Sequence, residues 1–200
     1  MTTPRDLLIV VLNVTTGRSV GQGDLSLAFA GAELLDLLRA EAVALDADRI
    51  VPGPPLGMGD RLLDEAVAAL VRERPYESVE DWLWRRGRAL AAAYVDALEA
   101  AGKDGRGRGR RLTLRTDRTR IGDPAERRRA AERWASGESV LASLGAAVGL
   151  REEPAGQPSG LPEAAVTVLA AVNNAVVELE AVRQRRSIED AAFDNIWRVP

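Results

Sequence analysis

The chain has 200 residues, of which 46 % are apolar and only 4 % aromatic, and it carries a formal net charge of −3. That length suits one domain, and a core so poor in rings must be packed from Leu, Val and Ala, which favours helices over a β-sandwich. With neither cysteine nor histidine in the chain, disulfides, thiolate or imidazole metal sites, thiol nucleophiles and a Ser–His–Asp triad are all excluded.

Thr3-Pro4-Arg5-Asp6 reads as a helix start, with Thr3 as cap and Pro4 in the first turn. The β-branched run in Leu7 to Val14 leaves a strand open as the alternative. Gly17 to Gly23 reads as a loop, and Asp24 as the cap of a helix to about Arg39 with Leu27, Leu34, Leu35 and Leu38 among its apolar positions. Val43-Ala44-Leu45 and Arg49-Ile50-Val51, joined by Asp46-Ala47-Asp48, read as a β-hairpin. Pro52 to Gly59 is a linker.

Asp60 is placed to cap a helix whose apolar face is Leu62, Leu63, Ala66, Val67 and Leu70, ended by Pro75. Ser78 with Asp81 three residues on is a capping-box start for a helix that carries Trp82 inward. Arg85, Arg86 and Arg88 follow, around Gly87. Ala89 to Ala101 is then an alanine-rich helix closed by Gly102. Gly105 to Gly109 is a turn-rich arginine loop, and Leu112-Thr113-Leu114 a short strand, so that about 105–118 reads as a second, basic hairpin.

Asp123-Pro124-Ala125-Glu126 starts a helix that carries Trp134, and Gly137 to Leu150 is another. About 152–160 is a flexible Pro/Gly segment. Pro162 opens a long helix to about Arg186, with Val166, Leu169, Val172, Val176 and Leu179 as its inner face. The tail from Ile188 to Pro200 is amphipathic, with Ile188, Phe193, Ala192, Ile196 and Trp197 expected to dock. The apolar run Leu7 to Leu12 is too short for a signal peptide, and no segment approaches the roughly 20 apolar residues that span a bilayer. The expectation is a cytoplasmic protein whose membrane contact is peripheral, at the inner face. Arginine supplies 26 of the 27 basic residues, as a GC-rich, bacterial coding sequence would give.

Charge is unevenly spread. From Gly105 to Arg129 there are ten arginines against Asp117, Asp123 and Glu126. Such a face suits the phosphates of lipid or nucleic acid. The bland alternative is a solvated hairpin whose charges keep a strand edge from aggregating. Likewise Arg85, Arg86 and Arg88 are either a cluster for an anion or an ordinary solvated helix segment. Asp60 and Asp64 lie one turn apart, but acids in a first turn are ordinary cap and dipole residues. Gly105 to Gly109 lacks the lysine and the hydroxyl residue of a phosphate loop.

Gly59-Asp60-Arg61-Leu62-Leu63-Asp64-Glu65-Ala66, then Glu77-Ser78-Val79-Glu80-Asp81-Trp82-Leu83, then a helix, a glycine and a strand, resemble the Golgi phosphoprotein 3 (GPP34) family. The resemblance implies a mainly α, single GPP34-like helical domain over residues 1–200, a helix-bundle core with peripheral helices and one or two β-hairpins. It also implies a non-enzymatic peripheral membrane or adaptor protein that binds anionic phospholipid, phosphatidylinositol 4-phosphate in the family. The family's lipid pocket has a loop tryptophan, an arginine on the core helix and two arginines three apart on a later helix. Counting from Gly31 and Gly102 places these near Gly21 and on Ala30, Arg88 and Ala91, so Arg88 alone is kept. Arg85, Arg86 and Arg18 are candidate substitutes for the head group. Arg106, Arg108, Arg110 and Arg111 are candidates for the membrane surface or, through the 105–118 hairpin, for a homo-oligomer contact. No metal, cofactor or catalytic residue is expected; a protein partner is. The alternatives are a winged-helix-like nucleic-acid-binding or regulatory module, for which no exposed recognition helix is evident, and a pure interaction or assembly protein.

Overall fold

The computed structural model describes residues 2–13, 20–104, 123–150 and 160–196, with side chains to 101 and to 190 in the second and last of these stretches. The described part is mainly α, with one small two-stranded sheet. In chain order it contains α1 (Thr3–Asn13), α2 (Gln22–Arg39), β1 (Val43–Asp46), β2 (Arg49–Pro52), α3 (Arg61–Ala68), α4 (Val79–Arg86), α5 (Leu90–Asp104), α6 (Pro124–Ala135), α7 (Ser139–Ala147) and α8 (Glu163–Ile196).

α2 is the centre. Every residue from Leu25 to Leu37 is buried, the signature of a helix surrounded on all sides. α1, α3, α4, α5, α7 and α8 all pack on it. α8 packs closely at Gly31, where an added Cβ would overlap the Val172 side chain. Trp82 of α4 is fully buried and donates its indole N–H to the Ala30 carbonyl at 3.1 Å. The large ring thus enters the core with its one polar atom satisfied.

Several helix starts follow the local chemistry. Asp60 accepts from the Leu62 and Leu63 amides at 3.0 and 3.3 Å. The Ser78 hydroxyl accepts from the Asp81 amide at 3.0 Å and donates to its carboxylate at 2.6 Å. Each satisfies amides that a helix leaves unpaired. The hairpin β1–β2 turns at Ala47-Asp48, with Leu45 opposite Ile50. It is fixed to the body by Ile50 N–H on Glu77 O and Val79 N–H on Asp48 O, both at 2.9 Å.

Other expectations are corrected. The helix expected from Thr3 onward is present over Thr3–Asn13, against the strand alternative, but Thr3 is no cap: its amide and hydroxyl both donate to Asp36, each at 2.7 Å. α2 begins before Asp24, with Gly21 as cap residue. α3 ends at Ala68, ahead of Pro75, and α5 runs through Gly102 to Asp104; a glycine inside a helix costs only about 1 kcal/mol against alanine. Glu138, rather than Gly137, starts α7, accepting from the Val140 and Leu141 amides. Of the expected inner face of α8, Leu169 and Val172 are buried and Val176 and Leu179 pack partly buried against the core, with Val168 and Ala175 buried beside them in place of Val166, and Ile188 is 70 % exposed instead of docked. α8 is also, by length and composition, apolar enough to cross a bilayer, against the expectation that no segment is. Its inner face packs on α2, α4 and α7, while most of the window is not buried. The expected hairpin at 105–118 and residues 152–159 lie outside the described residues, as do the side chains of Ala192, Phe193, Ile196 and Trp197.

Because α2 is enclosed from Leu25 to Leu37, the two acids of that stretch are enclosed as well. Glu33 has no solvent exposure. Arg86 holds it with a two-pronged bond, Nε to Oε2 at 2.8 Å and Nη2 to Oε1 at 2.9 Å, and also donates to Leu62 O. The Tyr94 hydroxyl donates to Oε1 at 3.0 Å. Burial and the nearby Glu33 push the Tyr94 phenol far up, so it stays a donor. Asp36 is held by Thr3 and by Arg39 at 2.8 Å. Asp6 of α1, likewise buried, is paired with Arg133 of α6, which also binds Glu138.

Two outcomes follow for stability. Removing one partner of a buried ion pair leaves the other uncompensated, so Arg86→Ala lowers the unfolding free energy by about 3–5 kcal/mol in urea titrations, and adding Glu33→Gln restores part of it. Desolvation raises the carboxyl pKa of Asp6, Glu33 and Asp36 above the ordinary range, against the pull of their arginine and threonine partners. A raised folded-state pKa contributes stability that is complete below the unfolded value of about 4 and is lost as pH rises through the folded value. The melting temperature therefore climbs as pH falls through the folded-state values toward about 4, and the slope flattens in Asp36→Asn.

Candidate anion-binding cleft

The arginines around Gly87 point to three different fates. Arg85, in the last turn of α4, donates Nε and Nη2 to the two Glu77 oxygens, each at 2.6 Å, and Nη2 also reaches Ala69 O at 3.0 Å. Its guanidinium lies 5.3 Å from the Trp82 ring centroid. It clamps the α3–α4 connection. Arg86 is the partner of Glu33. Neither is a free cation, because each faces a carboxylate that the sequence places far from it or across a turn.

Arg88 is different. Gly87 sits so close to the body that an added Cβ would lie 2.5 Å from Leu83 O and 3.3 Å from Ser26 O. The chain therefore leaves α4 pressed against the first half of α2, turns through Ala89 at φ 57°, and starts α5. Arg88 projects from this turn, exposed, with no ion pair among the described residues. It borders a cleft of about 350 Å³, whose walls include Gln22, Gly23, Ser26, Trp84 and Leu179. Trp84 is half-buried, a cleft wall as well as a core contact.

The first turn of α2 forms one side of that cleft. Gly21 provides no side-chain cap, and the first helical bond is Leu25 N–H to Gly21 O at 3.0 Å. The amides of Gln22, Gly23 and Asp24 precede it, at the positive end of the helix dipole. Asp24 instead binds Arg183 of α8, whose Nη1 lies 2.8 Å from both carboxylate oxygens. Nothing in local spacing marks Arg183, because its partner is in another helix.

Of the three other positions suggested by the resemblance, Gly21 is the cap residue of α2 and the two helix positions are closed. Ala30 and Ala91 are buried, and the Ala91 amide donates to Ser26 Oγ at 3.1 Å. Arg18, Arg106, Arg108, Arg110 and Arg111 lie outside the described residues. Asp60 and Asp64 have structural partners: Asp60 meets Arg5 at 3.0 Å besides capping α3, and Asp64 accepts from the Met58 amide at 2.7 Å.

A second cleft, of about 380 Å³, opens at the other end of α2 between Leu35, Leu38, Val140 and Leu161. Its charged groups are already matched, Asp36 by Thr3 and Arg39 and Arg133 by Asp6 and Glu138. Of these two clefts, it is the Arg88 cleft that presents a guanidinium with no ion pair among the described residues.

A family model described as Golgi phosphoprotein 3 (GPP34) matches residues 4–190. No curated protein and no solved structure matches the chain. The match takes in α1 through most of α8, including both motifs around α3 and α4, and on it the chain belongs to the Golgi phosphoprotein 3 family.

Proposed function

We propose that this chain is a non-enzymatic peripheral membrane protein that takes the phosphate of an anionic phospholipid head group in the cleft beside Arg88. Family membership goes with a Golgi-associated lipid or adaptor type of role, and the family is not known as enzymatic. The observation that carries the reading is Arg88 itself, an exposed guanidinium with no ion pair among the described residues, next to the uncapped start of α2. Phosphatidylinositol 4-phosphate is the head group the resemblance implies, and the whole chain acts as one domain at the cytoplasmic face of a membrane.

Magnitudes limit what this site does alone. One basic side chain near an anionic surface contributes about 1 kcal/mol, and helix amides about 0.3–1 kcal/mol more. That is reversible, salt-sensitive attraction, and firm attachment needs a second signal. Arg106, Arg108, Arg110 and Arg111 supply it in this reading as a diffuse basic surface, with Trp84 at the cleft wall. Arg85 and Arg86 contribute to the fold, their charge being matched by Glu77 and Glu33. A protein partner, for an adaptor role, would use surface away from the cleft.

Co-sedimentation with phosphatidylcholine vesicles, with and without phosphatidylinositol 4-phosphate, tests this. Binding is expected at low salt and weakens steeply above the physiological range. Arg88→Ala reduces it about fivefold, the equivalent of one basic contact, and more than Arg106→Ala or Arg108→Ala does. No sedimentation with any anionic vesicle at low salt would remove the lipid role. Equal losses for all three variants would leave attraction without a site.

A further inference from the structure

Beside the same cleft, against its Gly23 wall, stands a second cation that the resemblance does not supply. Arg183 Nη1 is engaged by Asp24 and lies 3.7 Å from Glu180 Oε2 on its own helix, but Nη2 has no hydrogen-bond partner among the described residues. Nη2 faces Gly23, a cleft residue: a Cβ there would lie 2.8 Å from it and 2.8 Å from Leu179 Cδ2. Leu179, one turn before Arg183 on α8, is itself a cleft wall. The Arg183 side chain is 38 % exposed, so the guanidinium stands at the rim and not in the core. Arg88 thus approaches the start of α2 from the α4–α5 turn, and Arg183 from α8.

We propose that Arg183 is the second phosphate-binding guanidinium of this site, and that Asp24 is its internal counter-ion, displaced when a phosphate enters. This rests on the reading of the Arg88 cleft as a phosphate site. The exchange is chemically reasonable. A partly exposed Arg–Asp pair contributes little on its own. A phosphate monoester carries nearly twice the charge of a carboxylate and three acceptor oxygens, enough to engage two guanidinium groups at once. Gly23, lacking a side chain, leaves Nη2 open to the cleft. Asp24 then sets a threshold: it holds Arg183 in place while the site is empty and disfavours weaker anions that cannot outcompete it.

The two partners of one ion pair are therefore expected to respond in opposite directions. Using vesicles of phosphatidylcholine with phosphatidylinositol 4-phosphate at low salt, Arg183→Ala lowers binding about fivefold, the equivalent of one basic contact as for Arg88→Ala, with partial rescue in Arg183→Lys. Asp24→Asn raises it severalfold, and Glu73→Gln, which removes an exposed acid that does not line the cleft, raises it far less. Thermal melting checks that each variant is folded. If Arg183→Ala and Asp24→Asn weaken binding alike, or neither changes it while Arg88→Ala does, the pair is only a clamp between α2 and α8 and the proposal is overturned. A gain for Glu73→Gln equal to that of Asp24→Asn overturns the displacement. A wild-type chain that binds neither these vesicles nor inorganic phosphate, followed by calorimetry, instead removes the phosphate reading of the cleft. Inorganic phosphate bound with the same order of variants, in the absence of vesicle binding, keeps the two guanidiniums and assigns the source to free phosphate.

Discussion

Enclosing α2 is the constraint on which the rest depends. A helix buried from Leu25 to Leu37 cannot leave Glu33 and Asp36 to water, so its neighbours must bring donors to them. Arg86 and Tyr94 do so for Glu33, Thr3 and Arg39 for Asp36. Charges taken out of water are tolerated only when paired and fully hydrogen-bonded. These contacts therefore specify how α1, α4 and α5 must sit on α2 more narrowly than apolar packing alone would.

The same demand sorts the arginines. In a chain whose basic residues are almost all arginine, a cluster such as Arg85, Arg86 and Arg88 looks uniform. The fold spends two of the three on carboxylates, Glu77 and Glu33. Arg88 is left over because Gly87 and Ala89 carry the chain through a tight turn against Ser26. That turn holds the side chain at the lip of the cleft, away from the acids that satisfy its neighbours. Its function, in our reading, follows from geometry that leaves this one charge of the three without an ion pair among the described residues.

α8 links this site to the core. Val168, Leu169, Val172 and Ala175 pack inward, and two turns further on the same helix carries Leu179 and Arg183 to the start of α2. Its apolar composition would also suit a membrane span. Packing accounts for part of that composition: Val172 lies against Gly31, while only 22 % of the apolar window is buried. An alanine- and valine-rich helix allows close approach to α2 where larger side chains would hold the two apart.

Much of the architecture was legible in the sequence, because helix caps, turns and amphipathic faces depend on residues a few positions apart. The Asp60 and Ser78 caps, the hairpin at Val43 to Pro52, the inward Trp82 and the kinship carried by the motifs around them were all readable this way. The exact helix starts at Thr3 and Gln22 were not, since Thr3 and Asp24, each a good local cap, are drawn off by Asp36 and Arg183 in other helices. Which arginine is free was likewise decided only by the tertiary structure. Arg86 finds its acid 53 residues away and Arg183 its acid 159 residues away, and a guanidinium carries no local mark of whether a carboxylate awaits it across the fold. Sequence determines what each side chain can offer; packing determines which offers are already taken.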